Sequence, residues 1–179
     1  MKRQITLFFI IVSQFVQAQT ENEVSIFHRL LIFNQNKELL VLKIENTNFW
    51  VTPGLYQNEE QTLKKGLDSV ASTFGLVIKD LELKGTFLLK RDINGKKSSS
   101  LRNVFIAKTE NAVVLKPKGI QEVQWLSTSE AMDKINFPHI NAMIRQITNY
   151  PTKIWGGTLL QFKENNEWKT KILEDFYEL

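Results

Sequence analysis

The chain has 179 residues, 42% of them hydrophobic and 23% charged, with four Trp and twelve Phe, a make-up that suits one globular domain with a proper core. It has no cysteine, which excludes disulfides, thiolate metal sites and a lipidated-cysteine anchor. The formal charge of +4 is modest and partly terminal, so no electrostatic argument favours a nucleic-acid partner.

In residues 1–18, MKRQITLFFIIVSQFVQA, Lys2 and Arg3 precede an apolar run from Ile5 to Val16, followed by Gln17 and Ala18. That layout predicts a secretory signal peptide cleaved after Ala18, a secreted or periplasmic protein, and a single mature domain over residues 19–179. A buried first strand or an uncleaved anchor is the alternative. The run is too short and interrupted for a comfortable membrane span, so none is expected after cleavage. Removing Lys2 and Arg3 takes the 23 basic residues to 21 against 19 acidic, a net of +2.

Ser25 to Phe33 and Glu38 to Ile44 read as strands joined by the polar turn Asn34-Gln35-Asn36-Lys37, a hairpin signal. His28 alternates with apolar neighbours and reads as a half-buried strand residue with one satisfied hydrogen bond. The stretch from Phe49 to Leu76 then combines an aromatic pair, a Pro53-Gly54 break, a polar loop and one amphipathic helix from Gln61 to Phe74. Leu63, Leu67, Val70, Ala71 and Phe74 fall on one side of a 3.6-residue period, and Gly75 is the expected C-terminal stop.

This stretch resembles the signature of the Nudix hydrolases, G-x5-E-x7-R-E-U-x-E-E-x-G-U, where U is aliphatic. Gly54, Glu60, Asp68, Val70, Gly75 and Leu76 fall in register, and Trp50 stands three residues before Pro53 as in the family's W-x-x-P-G-G. Asp68 replaces the family's Arg, Ser69 a Glu, and Ser72 and Thr73 the Glu-Glu pair. The resemblance covers roughly residues 27–135 and implies an α/β (α+β) fold, a Nudix-like α/β/α sandwich with a mixed sheet. Active members hold a divalent ion with helix carboxylates, and neutral hydroxyls are poor ligands for such a hard cation. No metal site and no cofactor is therefore expected, Mg²⁺ entering only if the chain is a divergent hydrolase.

Beyond the box, Leu81 to Arg91 and Leu101 to Thr109 read as a hairpin around a polar linker, residues 92–100, containing Asn94-Gly95. A basic group of Lys90, Arg91, Lys96, Lys97 and Arg102 near it reads first as a solvated tip and second as an anion contact. Val123 to Leu126 is a short strand. Ser127 and Glu130 predict a capping box opening a helix from Thr128 to Ile135, and Pro138 separates it from a second helix, His139 to Asn149. His139 reads as solvated at that helix's start. Residues 154–179 read as a C-terminal β-hairpin extension that pairs with the sheet or covers an edge, with Trp155-Gly156-Gly157 a possible cleft wall.

Two functions are expected from this pattern. The first is a Nudix-like domain with a degenerate box that binds a small anionic ligand or a protein partner through Trp50, Gly54, Tyr56, Lys64, Arg91 and Arg102. The second is a divergent metal-dependent pyrophosphohydrolase of a nucleotide-like diphosphate using Glu59, Glu60 and Asp68, with Glu60 and Asp68 about 12 Å apart if both lie on the helix. A dimer is compatible with the family, but no stretch identifies an interface.

Overall fold

The computed structural model describes residues 24–111 and 113–179, so the segment read as a signal peptide lies outside it. Strands β1 (Ser25–Phe33) and β2 (Leu39–Ile44) form the expected antiparallel hairpin, with Phe33 opposite Leu39. Short strands β3 (Trp50–Val51) and β4 (Gly54–Tyr56) flank Pro53 and add to β2 and β1 respectively. Helix α1 spans Leu63–Thr73, and Gly75 ends it at φ +73°, donating to the Ser72 carbonyl while Leu76 donates to that of Ala71. This paired closure satisfies two of the terminal carbonyls and needs a left-handed residue at its centre.

Strands β5 (Lys79–Ile93) and β6 (Lys96–Lys108) are joined by only two residues, Asn94 at φ +54° and Gly95 at φ +78°. Most of the expected linker is therefore strand: Ser98, Ser99 and Ser100 sit opposite Arg91, Lys90 and Leu89. A tight turn with both central residues left-handed matches strand twist, so the ladder runs to the tip despite weak local strand propensity.

Strand β7 (Ile120–Leu126) pairs with β2. Helix α2 (Thr128–Lys134) opens with the predicted capping box, Ser127 and Glu130 bonding reciprocally, and α3 (Pro138–Asn149) begins with a proline. Strands β8 (Trp155–Glu164) and β9 (Glu167–Glu178) form the C-terminal hairpin across Asn165 and Asn166, both at positive φ.

The sheet order is β3-β2-β1-β6-β5-β8-β9. It is mixed, because β1 runs parallel to β6 and β5 parallel to β8 while the hairpin neighbours are antiparallel. Alternate residues face opposite sides. Leu30, Ile32, Leu40 and Phe105 pack with Leu67 and Ala71 of α1, whereas Leu31, Val41, Phe87, Val104 and Leu159 pack with Ala131 of α2 and Ile140, Met143 and Ile144 of α3. The result is an α/β/α sandwich. The C-terminal hairpin is part of it, since Trp155 and Leu159 are buried in the α3-side core. Among the described residues no helix is long and apolar enough to cross a membrane.

Candidate functional site

On the α2/α3 face the sheet changes character from one pleat to the next. Side chains two apart share a face, so the rows that bury Leu31, Val104 and Leu89 continue with Arg29 on β1, Arg102 on β6 and Arg91 on β5. Arg29 is 4% exposed and Arg102 3%, while Arg91 is half-buried. His139, the second residue of α3, comes down onto this group and is itself 3% exposed.

The guanidiniums are held in place. Arg29 Nη1 donates to Thr52 Oγ1 at 2.7 Å and to the Thr52 carbonyl at 3.3 Å, and Arg102 Nε donates to Ser100 Oγ at 2.9 Å. The Phe27 ring lies against both, 5.2 Å from the Arg29 guanidinium carbon and 4.7 Å from that of Arg102. Tyr56 packs edge-on to Phe27 at 4.9 Å with its ring 5.7 Å from Arg102. Gly54 stands opposite Arg29 behind this stack, where a Cβ would meet the His28 carbonyl oxygen and the Phe27 ring at 2.6 Å. A side chain there would displace the ring that orders the arginines.

Buried arginines are ordinarily paired with carboxylates, because an uncompensated charge in low dielectric is costly. Here every ion pair among the described residues is made by a lysine. Arg29 Nε, Arg91 Nε, Arg102 Nη2 and His139 Nδ1 are buried without a hydrogen-bond partner. Burial, and then the neighbouring Arg102 charge, pull Arg29 down to about 9. Burial likewise lowers Arg102. Burial and the charges of Arg29, Arg102 and Arg91 hold His139 well below the usual imidazole range, so it is neutral at pH 7. Partial burial pushes the Tyr56 hydroxyl up, but the charges and hydrogen bonds of Arg102 and Arg91 outweigh it and the net shift is downward. Each perturbation follows from burial and from the proximity of the guanidiniums to one another and to their neighbours.

The helix that resembles the hydrolase box lies on the opposite face. Asp68 pairs with Lys64 at 2.7 Å, both partly in solvent, Ser72 Oγ donates to the Asp68 carbonyl at 2.8 Å, and Thr73 Oγ1 donates to the Val70 carbonyl at 2.7 Å. The hydroxyls standing in the Glu-Glu positions thus direct their protons into the helix backbone. Glu59 and Glu60 are exposed in the bend before α1, so Glu60 is not on the helix and the axial separation from Asp68 expected above does not apply. Among the described residues no three His, Cys, Asp or Glu side chains are grouped to hold a metal. This donor set does not fit the divalent ion that the resemblance implies.

Of the residues singled out from sequence, Tyr56, Arg91 and Arg102 come together, with Gly54 behind them. Lys64 is engaged by Asp68 on the other face. Trp50 is not among the converging residues: its backbone N–H donates to Asn136 Oδ1 at 2.8 Å, and the Lys134 ammonium lies 4.4 Å from its ring centre. His28 is a strand residue as read, but it is fully rather than half buried and has two side-chain partners, Gln57 at 3.0 Å and Asn103 at 3.4 Å. His139 is not solvated: Phe137 and Pro138 turn the chain so that the second helical position faces the sheet. Arg29 and Phe27 were not singled out. The signal available for Arg29 was an arginine two residues before Leu31 in an otherwise apolar run.

No family model matches the chain, and no curated protein sequence is similar enough to be matched to it. Solved structures do match. The MutT protein of Bacillus halodurans is 16% identical with a TM-score of 0.67, covering 83% of this chain and 98% of its own. A Nudix hydrolase from Nitrosomonas europaea is 14% identical with a TM-score of 0.58, covering 76% and 79%. An Ap4A hydrolase of C. elegans is 15% identical with a TM-score of 0.55, covering 72% and 98%. At these identities the likeness is one of architecture, and it is shared over most of every chain compared: this protein has the Nudix fold.

Proposed function

We propose that this chain uses the Nudix fold to bind a small anion and does not hydrolyse diphosphates. The observation that carries this reading is the convergence of Arg29, Arg91, Arg102 and His139 with buried unpartnered nitrogens and, among the described residues, no carboxylate bonded to them. A buried cluster of like charges is unfavourable when empty, and an anion supplies both the missing acceptors and the missing charge. The hydrolase alternative has only Glu59, Glu60 and Asp68 to draw on: the first two are exposed in the bend before α1, Asp68 is paired with Lys64, and Ser69, Ser72 and Thr73 stand at the other box positions.

The test has two arms. The purified protein, given Mg²⁺ or Mn²⁺ with nucleoside and sugar diphosphates, is expected to release no product above a blank. In thermal melts at least one of phosphate, diphosphate, citrate or a nucleotide is expected to raise Tm, an effect lost in Arg102→Met. Robust turnover abolished by Glu60→Gln would establish the hydrolase instead. Export is a separate part of the reading, supported by residues 1–18 and checked by sequencing the amino terminus of protein recovered from a periplasmic or medium fraction, where Gln19 is the expected first residue.

A further inference from the structure

We infer that the arginine cluster is a subsite for a phosphoryl dianion, either free phosphate or the terminal group of a small phosphate monoester, bound by N–H donors without a metal ion. This rests on the anion-binding reading above and narrows it to one chemistry.

The first ground is direction. Arg29 Nη1 is tied to Thr52, Arg102 Nε to Ser100, and Arg102 also bonds Tyr56, while Arg29 Nε and Arg102 Nη2 are buried without a partner. Arg91 Nε and the His139 Nδ1 position complete the set. These groups come from β1, β6, β5 and α3, so they approach from the floor formed by three strands and from a helix above it. A carboxylate offers its lone pairs in one plane, whereas a tetrahedral oxyanion offers oxygens in several directions and suits donors that do not share a plane.

The second ground is charge. Three guanidiniums face the site and, among the described residues, no carboxylate is bonded to any of them, so a monoanion leaves more charge uncompensated than a dianion does. His139 adds a ring nitrogen that can donate, and it sits at the first turn of α3, where the helix contributes its own partial positive charge. The same field repels a divalent cation, which separates this subsite from metal-assisted phosphate binding. The third ground is the aromatic surround: half-exposed Tyr56 lies against Arg102, and Phe137 lies 5.9 Å from His139 and 5.4 Å from Trp168, ring surfaces that suit an organic substituent.

Isothermal titration of the purified protein in low-salt, phosphate-free buffer at pH 7.5 decides the matter, with inorganic phosphate, phenyl phosphate, acetate and citrate as probes. Phosphate or phenyl phosphate is expected to bind at least tenfold more tightly than acetate or citrate. Arg102→Met, and independently the half-buried Arg91→Met, are expected to weaken that binding tenfold or more. Tighter binding of phenyl phosphate identifies a monoester site, and tighter binding of inorganic phosphate a site for the free ion. Preference for citrate or acetate would overturn the phosphoryl assignment while leaving anion binding intact. Absence of binding by all four overturns the phosphoryl assignment, and if diphosphate and nucleotides also fail to raise Tm the broader reading falls with it. Phosphate binding undiminished in both folded variants would place the ion elsewhere and refute the inference.

Discussion

Arg29 illustrates how burial and one like-charged neighbour change a side chain. Its ordinary protonated form is penalised by burial and by Arg102, which brings it to about 9. A basic group whose value is lowered on folding destabilises the folded state wherever it stays protonated, so the penalty is full below about 9 and fades as pH rises through that value toward the range of a free arginine. Arg29→Met removes the charge and keeps most of the stem. In anion-free buffer at pH 7.5 the variant is expected to be as stable as the parent or more so, by up to about 2 kcal/mol, because a buried charge replaced by an apolar side chain is often neutral or stabilising. Urea melts at pH 10 are expected to show a smaller advantage. A variant clearly less stable than the parent at pH 7.5 would mean that the Thr52 hydrogen bonds outweigh the buried charge. The chemistry of Arg29 was visible in the sequence, whereas its environment was not: an arginine in a strand is ordinarily read as reaching solvent.

At the scale of the element, local rules were strongly legible. The spacing of Leu67, Ala71 and Phe74 placed α1, and all three are buried. Gly75 closed the helix as expected because its φ of +73° favours glycine and because a Cβ would come within 3.0 Å of the Leu115 side chain. Gly75→Ala is expected to lower stability by about 1–2 kcal/mol, the cost of a left-handed residue with a Cβ, and Gly75→Asn by less. Chemical denaturation checks both, and equal stability of Gly75→Ala and the parent would show that the closure is not needed. The serine stretch after Gly95 went the other way. Its composition reads as loop, but the Asn94-Gly95 turn and the partner strand β5 impose pairing, so tertiary context overrode propensity.

For the whole molecule, the C-terminal hairpin takes the first of its two expected placements and pairs with the sheet. A strand parallel to β5 and carrying Trp155 and Leu159 into the α3-side core is structural, not a cover for an edge. Truncation after Thr152 is expected to abolish the cooperative unfolding transition, because it removes the neighbour of the long β5 and part of the packing on Phe87. A truncated chain that still melts cooperatively would show the remaining sheet to be self-sufficient. The hairpin also continues the site's floor, since Gln161 lies opposite Arg91 and Thr170 opposite Gln161, with Thr170 Oγ1 another buried atom lacking a partner.

The sequence by itself determined most of the strands and helices, where α1 stops, that hydroxyls stand at positions where the resembled signature has carboxylates, and that a Nudix-like sandwich suits the order of the elements; it did not determine that residues 96–100 are strand. These follow from period, turn chemistry and residue type, which act over a few neighbours. Only the tertiary structure decided that Arg29, Arg91, Arg102 and His139 meet, on the face away from α1. Their meeting depends on strand order, on which pleat each side chain takes and on how α3 is laid over the sheet, and burial then turns four ordinary basic residues into one unsatisfied group.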